Sequence, residues 1–105
     1  MVVVFEKDYL RELFVDGKAS DKHHRFQPEI VSRYVKVINM MINANNVNDL
    51  MHIGSLHYEH LEGNKSGYSS VRVNDKYRVE FYEEFEGEQK IATICNIVEL
   101  TNHYK

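Results

Sequence analysis

The chain has 105 residues, with 13 Lys and Arg against 16 Asp and Glu, a net charge of −3 and a single cysteine. A chain of this size buries roughly two thirds of its unfolded surface in one core, so one domain over residues 1–105 is expected. The lone Cys95 excludes an internal disulfide, the acidic balance excludes a binder of RNA that is basic overall, and no run approaches the ~20 apolar residues of a membrane helix.

The start, Met1-Val2-Val3-Val4-Phe5, reaches Glu6 at once, far short of a secretory h-region. A cytoplasmic location is expected, and the Asn64-Lys65-Ser66 sequon carries no weight. The β-branched start predicts a strand over about 2–5. Tyr9, Leu10, Leu13 and Phe14 recur at helical spacing before Gly17, which predicts a helix over about 6–16 capped by the glycine. Lys18 to Gln27 is polar and reads as a loop, and Pro28 occupies a natural first helical position. From Ile30 the apolar residues Val31, Tyr34, Val35, Ile38, Met41 and Ile42 trace one face of a long second helix. The asparagine-rich run from Asn43 to Asp49 ends it, because these side chains compete with the backbone for hydrogen bonds.

Beyond residue 68 the period changes to two. Val71 and Val73 alternate with Ser70 and Arg72, and Tyr77, Val79 and Phe81 alternate with Arg78, Glu80 and Tyr82, which predicts two strands. After a turn at Glu86-Gly87-Glu88, the apolar run Ile91 to Leu100 predicts a strand covered on both faces, with Cys95 buried in it. Helices followed by an antiparallel sheet make an α+β fold, with a short N-terminal strand and two to three helices packed on the sheet.

The hairpin admits two registers. A two-residue loop at Asn74-Asp75 would place Val71 opposite Arg78 and bury a charge. A three-residue loop, Asn74-Asp75-Lys76, sets Val73 opposite Tyr77 and Val71 opposite Val79, with Arg72 opposite Arg78 and Ser70 opposite Glu80 on the other face. Two facing arginines are unfavourable unless a carboxylate or an anion lies between them. Glu80 is the candidate carboxylate, and the other reading is a phosphate cradle built by Arg72 and Arg78. Residues 1–56 carry 7 basic and 7 acidic groups and residues 57–105 carry 6 and 9, so an RNA-facing surface has to be a local basic patch.

Three segments, His57 to Tyr68 (HYEHLEGNKSGY), Tyr68 to Val79 and the ending Val98 to Tyr104, together resemble the HigB branch of the RelE/ParE toxin superfamily, whose members read LHxLKGDRxGxxSIRVNDxWRI in the middle. The resemblance implies the toxin of a type II toxin–antitoxin pair that inhibits translation. Such a toxin is a metal-independent endoribonuclease cutting mRNA on the ribosome, neutralised by a HigA-like helix-turn-helix antitoxin. It assigns phosphate stabilisation to Arg78, assisted by Arg72, and RNA contacts to Lys65, Tyr68, Arg72 and Lys76. The family's Asp-Tyr-His tail aligns with Asn102-His103-Tyr104, with His and Tyr exchanged, so His103 and Tyr104 are both candidates for proton transfer, His103 first because imidazole titrates near neutral pH. Glu62 stands where the family has lysine.

The same superfamily includes ParE-like gyrase poisons that are not enzymes, and a degenerate toxin kept as an antitoxin-binding module is a further alternative. His57 and His60 are spaced as a ligand pair, but no Cys or carboxylate set accompanies them, and no metal or cofactor is expected. Tyr68, Tyr77, Phe81 and Tyr82 are candidates for base stacking, with Tyr77 and Phe81 better suited to the core. The acidic stretch from Glu83 to Glu88 suits a solvated turn or a basic segment of an antitoxin.

Overall fold

The computed structural model describes residues 1–88 and 91–102. Strand β1 (Val2–Phe5) leads into helix α1 (Asp8–Val15), a single 3₁₀ turn (Lys22–His24), helix α2 (Pro28–Asn43) and a short helix α3 (Val47–Met51). The chain then forms β2 (Glu59–His60), β3 (Ser69–Arg72), β4 (Arg78–Glu84) and β5 (Ile94–Thr101), with 3₁₀ turns at Gly54–Leu56 and Gly63–Lys65. The five strands lie in the order β1-β5-β4-β3-β2.

The expected α+β fold is present, with one addition. The C-terminal strands are mutually antiparallel, but β1 joins β5 in parallel, Val2 beside Ile94 and Phe5 beside Ile97. The helices between β1 and the other strands supply the long connection that a parallel neighbour requires.

Helix α1 buries Tyr9, Leu10 and Leu13, and the backbone turns out of it at Gly17, where φ is +77°. Pro28 opens α2, whose buried stripe is Ile30, Val31, Tyr34, Val37, Ile38 and Met41. Val37 replaces the expected Ile42, which is 39% exposed. Two turns after Ile30 the helix returns Val37 to the same line, whereas Ile42 has rotated past the edge of the stripe. The Tyr34 hydroxyl donates to the Leu10 carbonyl oxygen at 2.8 Å and locks α1 onto α2.

The asparagine run ends α2 as expected, but it also starts α3. Asn46 Oδ1 accepts the Asp49 N–H at 3.3 Å, an N-cap, while Val47 and Leu50 enter the core. The local preference for a turn is overridden by the burial of two apolar side chains.

β5 begins three residues later than its apolar run. Ile91 is exposed, the Ala92 carbonyl accepts the Val47 N–H at 3.0 Å, and the Thr93 N–H donates to the Glu84 carbonyl at 3.2 Å. A bulge leaves Val98 without a β4 partner, since Phe81 faces Ile97 and Glu80 faces Glu99. The extra residue lets the buried series Cys95, Ile97 continue at Leu100. The strand is not apolar on both faces: Asn96 is buried and donates from Nδ2 to Glu84 Oε1 at 2.7 Å. Cys95 is fully buried, and burial pushes its thiol up to about 12. Among the described residues, no helix is long and apolar enough to cross a membrane.

Candidate functional site

The β3–β4 hairpin takes the three-residue loop. Ser70 faces Glu80, Val71 faces Val79 and Arg72 faces Arg78, and the Val73 N–H donates to the Tyr77 carbonyl at 2.9 Å. Asn74 Oδ1 accepts the N–H groups of Lys76 at 2.9 Å and Tyr77 at 2.8 Å, so the asparagine side chain builds the turn that sets the register. Arg72 and Arg78 therefore spring from one face of the sheet at directly opposed positions.

Two like charges placed this way need compensation, and their carboxylates are not the expected one. Asp75 pairs with Arg72, and Glu59 on β2 lies 3.6 Å from Arg78 Nε. Glu80 takes Lys65 at 2.7 Å. Arg78 is the better fixed of the two arginines, its side chain 12% exposed. Its Nε donates to Ser70 Oγ at 2.8 Å and its Nη2 to the His57 carbonyl oxygen at 2.5 Å.

His57 is the residue that sequence reasoning weighed only as a metal ligand. It ends the Gly54–Leu56 turn in a left-handed conformation with φ +43°, the only non-glycine residue with positive φ among those described. That turn aims its carbonyl at Arg78 while its ring Nε2 meets Arg72 Nη1 at 3.4 Å. A guanidinium has no acceptor, so in this contact Nε2 accepts. An exposed histidine thus meets both guanidinium groups, Arg72 through a ring nitrogen and Arg78 through its backbone carbonyl. The only cue in the sequence was a histidine beside Leu56, an apolar residue that anchors the turn in the core. His60 points elsewhere, its Nδ1 3.1 Å from Ser69 Oγ. Among the described residues no cluster of three or more His, Cys, Asp or Glu could hold a metal ion.

A cleft of about 670 Å³ separates residues 23–26 from Lys65, Glu80 and the end of β5. Its wall is built by stacking: the His24 ring lies 3.6 Å from the Tyr9 ring at an interplanar angle of 7°, and Asp21 holds His24 Nδ1 at 2.9 Å. The Tyr9 hydroxyl donates to Glu99, which also takes Lys7 at 2.8 Å. Burial alone would push the Glu99 carboxyl up, but Lys7 and Tyr9 together outweigh it and hold it below the ordinary carboxylate range. Burial, then Glu99, drives the Tyr9 phenol well above its usual value.

Among the remaining candidates, Lys76 is exposed at the hairpin tip. Tyr68 is 37% exposed and meets Tyr82 edge-on at 6.0 Å, while Phe81 is in the core and Tyr77 packs against Phe26. His103 and Tyr104 lie outside the described residues.

The family described as the RelE-like toxin of type II toxin-antitoxin system HigB matches residues 3–96. The chain belongs to that family. Toxin HigB-1 of Vibrio cholerae serotype O1 is 32% identical over 82 residues, spanning 77% of this chain and 82% of the relative. Among solved structures, the YoeB/ParE toxin from Agrobacterium tumefaciens superposes with a TM-score of 0.58 at 18% identity, covering 99% of this chain and all of the other. YafQ from E. coli gives 0.58 at 10% identity over 96% of this chain and 91% of its own. The YoeB-YefM complex from Staphylococcus aureus gives 0.52 at 17% identity over 99% and 98%. As a HigB-like toxin, the chain carries the family's fold with an arginine pair and a histidine at one end of its sheet.

Proposed function

We propose that this toxin is an mRNA endoribonuclease that acts on the ribosome, in the cytoplasm, as a single domain over residues 1–105. A cognate HigA-like helix-turn-helix antitoxin neutralises it. The observation that carries the reading is the convergence of Arg72 and Arg78 on His57, through contacts of 3.4 Å and 2.5 Å. Cleavage within RNA requires a base for the 2′-hydroxyl, an acid for the leaving oxygen and cations for the phosphorane.

In this mechanism a phosphate seats between the arginines and draws Arg72 from the ring, which frees His57 Nε2. That nitrogen takes the 2′-hydroxyl proton, the oxygen attacks the adjacent phosphorus, and the bond from phosphorus to the 5′-oxygen breaks. His103 donates the proton that the leaving oxygen needs, with Tyr104 beside it in sequence. The products are a 2′,3′-cyclic phosphate and a 5′-hydroxyl, and no step calls on a metal. Arg78 stabilises the non-bridging oxygens, preorganised by Ser70 and by the His57 carbonyl, and Arg72 assists. Lys65 and Lys76 contact flanking phosphates, and Tyr68 stacks a base on the ring surface it shares with Tyr82.

The deciding experiment measures cleavage of a defined mRNA with and without ribosomes, beside a gyrase supercoiling assay. Cleavage that needs ribosomes, with supercoiling untouched, is the expected result. Inhibited supercoiling without cleavage would establish the gyrase poison instead.

A further inference from the structure

A second concave surface begins where the arginine pair ends. A groove of about 360 Å³ lies between the start of α2 and the tip of the β3–β4 hairpin. A smaller cleft of about 120 Å³ continues it along α2. Arg33 and Arg72 line both, Lys76 closes one end and Lys36 stands at the other. Arg33 and Lys36 are three residues apart on one helix and so share a face. Arg33, Lys36 and Lys76 are exposed and take part in no ion pair among the described residues. Asp75, the hairpin carboxylate in the groove, is occupied by Arg72, which leaves Glu29 as the other acid on its walls.

Four cations gathered in one groove are out of keeping with a chain of net charge −3. Like charges on neighbouring turns repel and cost helix stability unless an anion meets them. Because Arg72 belongs both to this groove and to the His57 cluster, the anion that fits is a strand carrying many phosphates rather than one isolated group. Resting on the nuclease reading, we propose that the groove along Arg33, Lys36, Arg72 and Lys76 is the track for the single-stranded RNA backbone on one side of the scissile phosphate. Arg33 and Lys36 are the phosphate-binding residues it adds. They position RNA and read no base, so they act on affinity for any sequence alike.

The test uses the full chain and a short 2′-O-methyl RNA, which binds without being cleaved. Its affinity is measured by fluorescence anisotropy between about 0.05 and 0.2 M salt. The variant R33Q/K36Q is set beside K18Q/K22Q, which removes the same charge elsewhere, and circular dichroism checks that both keep their helices. Two lost contacts on a single strand lower the slope of log K against log salt by about 1.4, and affinity at the low-salt end falls by roughly tenfold. The control keeps the wild-type slope. The groove is overturned if R33Q/K36Q binds as wild type does or if both variants lose affinity equally. Ribosomal cleavage by the wild-type chain is read in parallel. Absent cleavage with a reduced slope in R33Q/K36Q removes the nuclease reading and keeps the groove, whereas intact cleavage with unchanged slopes does the reverse.

Discussion

Lys65 Nζ stands 2.7 Å from Oε2 of Glu80, a carboxylate 7% exposed, while the lysine itself is 47% exposed. The pair joins the loop before β3 to the middle of β4, so one residue proposed to meet RNA also neutralises a charge inside the fold. Loss of the lysine removes one of the contacts that hold the buried Glu80 carboxylate, and a buried charge becomes costlier as its compensation weakens. Lys65→Gln is expected to lower stability by about 1–2 kcal/mol, with solvent exposure of the lysine keeping the figure modest. The double variant K65Q/E80Q should regain at least half of that in urea unfolding while its RNA affinity stays as low as that of K65Q. A double variant less stable than K65Q would show that Glu80 supports the sheet independently of Lys65.

At His57 the ring and the backbone can be tested apart, since the left-handed φ of +43° suits glycine and the carbonyl bound by Arg78 survives any substitution. His57→Gly should match wild-type stability within about 0.5 kcal/mol, whereas His57→Ala should be about 1 kcal/mol less stable than His57→Gly. Both should slow single-turnover cleavage by about 10²-fold or more, the usual contribution of a positioned base. Wild-type cleavage by His57→Gly would take the ring out of the mechanism.

For the charge-stabilising and proton-donating roles, Arg78→Ala should slow cleavage on the ribosome by about 10²-fold or more, and Arg78→Lys should rescue only part of it. His103→Ala should lose roughly 10² to 10⁴ and flatten the rate profile between about pH 5 and 8. Tyr104→Phe distinguishes the neighbours. If it abolishes cleavage while His103→Ala stays within about threefold, under ~1 kcal/mol, the acid is the tyrosine.

Stability should depend on Glu99 at the acid end of the pH range. Its carboxyl is held below its unfolded value, so its contribution is complete above the unfolded pKa of about 4.3 and disappears as pH falls through the folded value. The gap in urea midpoint between wild type and Glu99→Gln should be widest near neutral pH and close progressively below about pH 4. A gap constant with pH would mean that the glutamate acts through packing alone.

The sequence by itself determined the helix-then-sheet order and the hairpin register. Period-two alternation in Val71, Val73, Tyr77, Val79 and Phe81 leaves a single loop length that keeps charged side chains off the apolar face, and Asn74 supplies the turn chemistry that loop requires. Opposition of Arg72 and Arg78 followed from the same alternation. What compensates those charges was settled only by the tertiary structure. Asp75 reaches Arg72 from within the hairpin loop, and Glu59, rather than Glu80, lies near Arg78 because a two-residue strand, β2, pairs with β3 and sets Glu59 beside Ser70. So short a strand leaves no periodic trace. His57 reaches Arg72 across 15 residues through a left-handed turn pinned by buried Leu56, and α3 forms from an asparagine run because Val47 and Leu50 find a core to enter. The basic groove has the same origin: Arg33 and Lys36 read as the solvated side of an amphipathic helix until folding sets that side against the hairpin tip. Periodicity reports which face of an element is buried, whereas contacts between the polar faces of separate elements depend on how those elements pack.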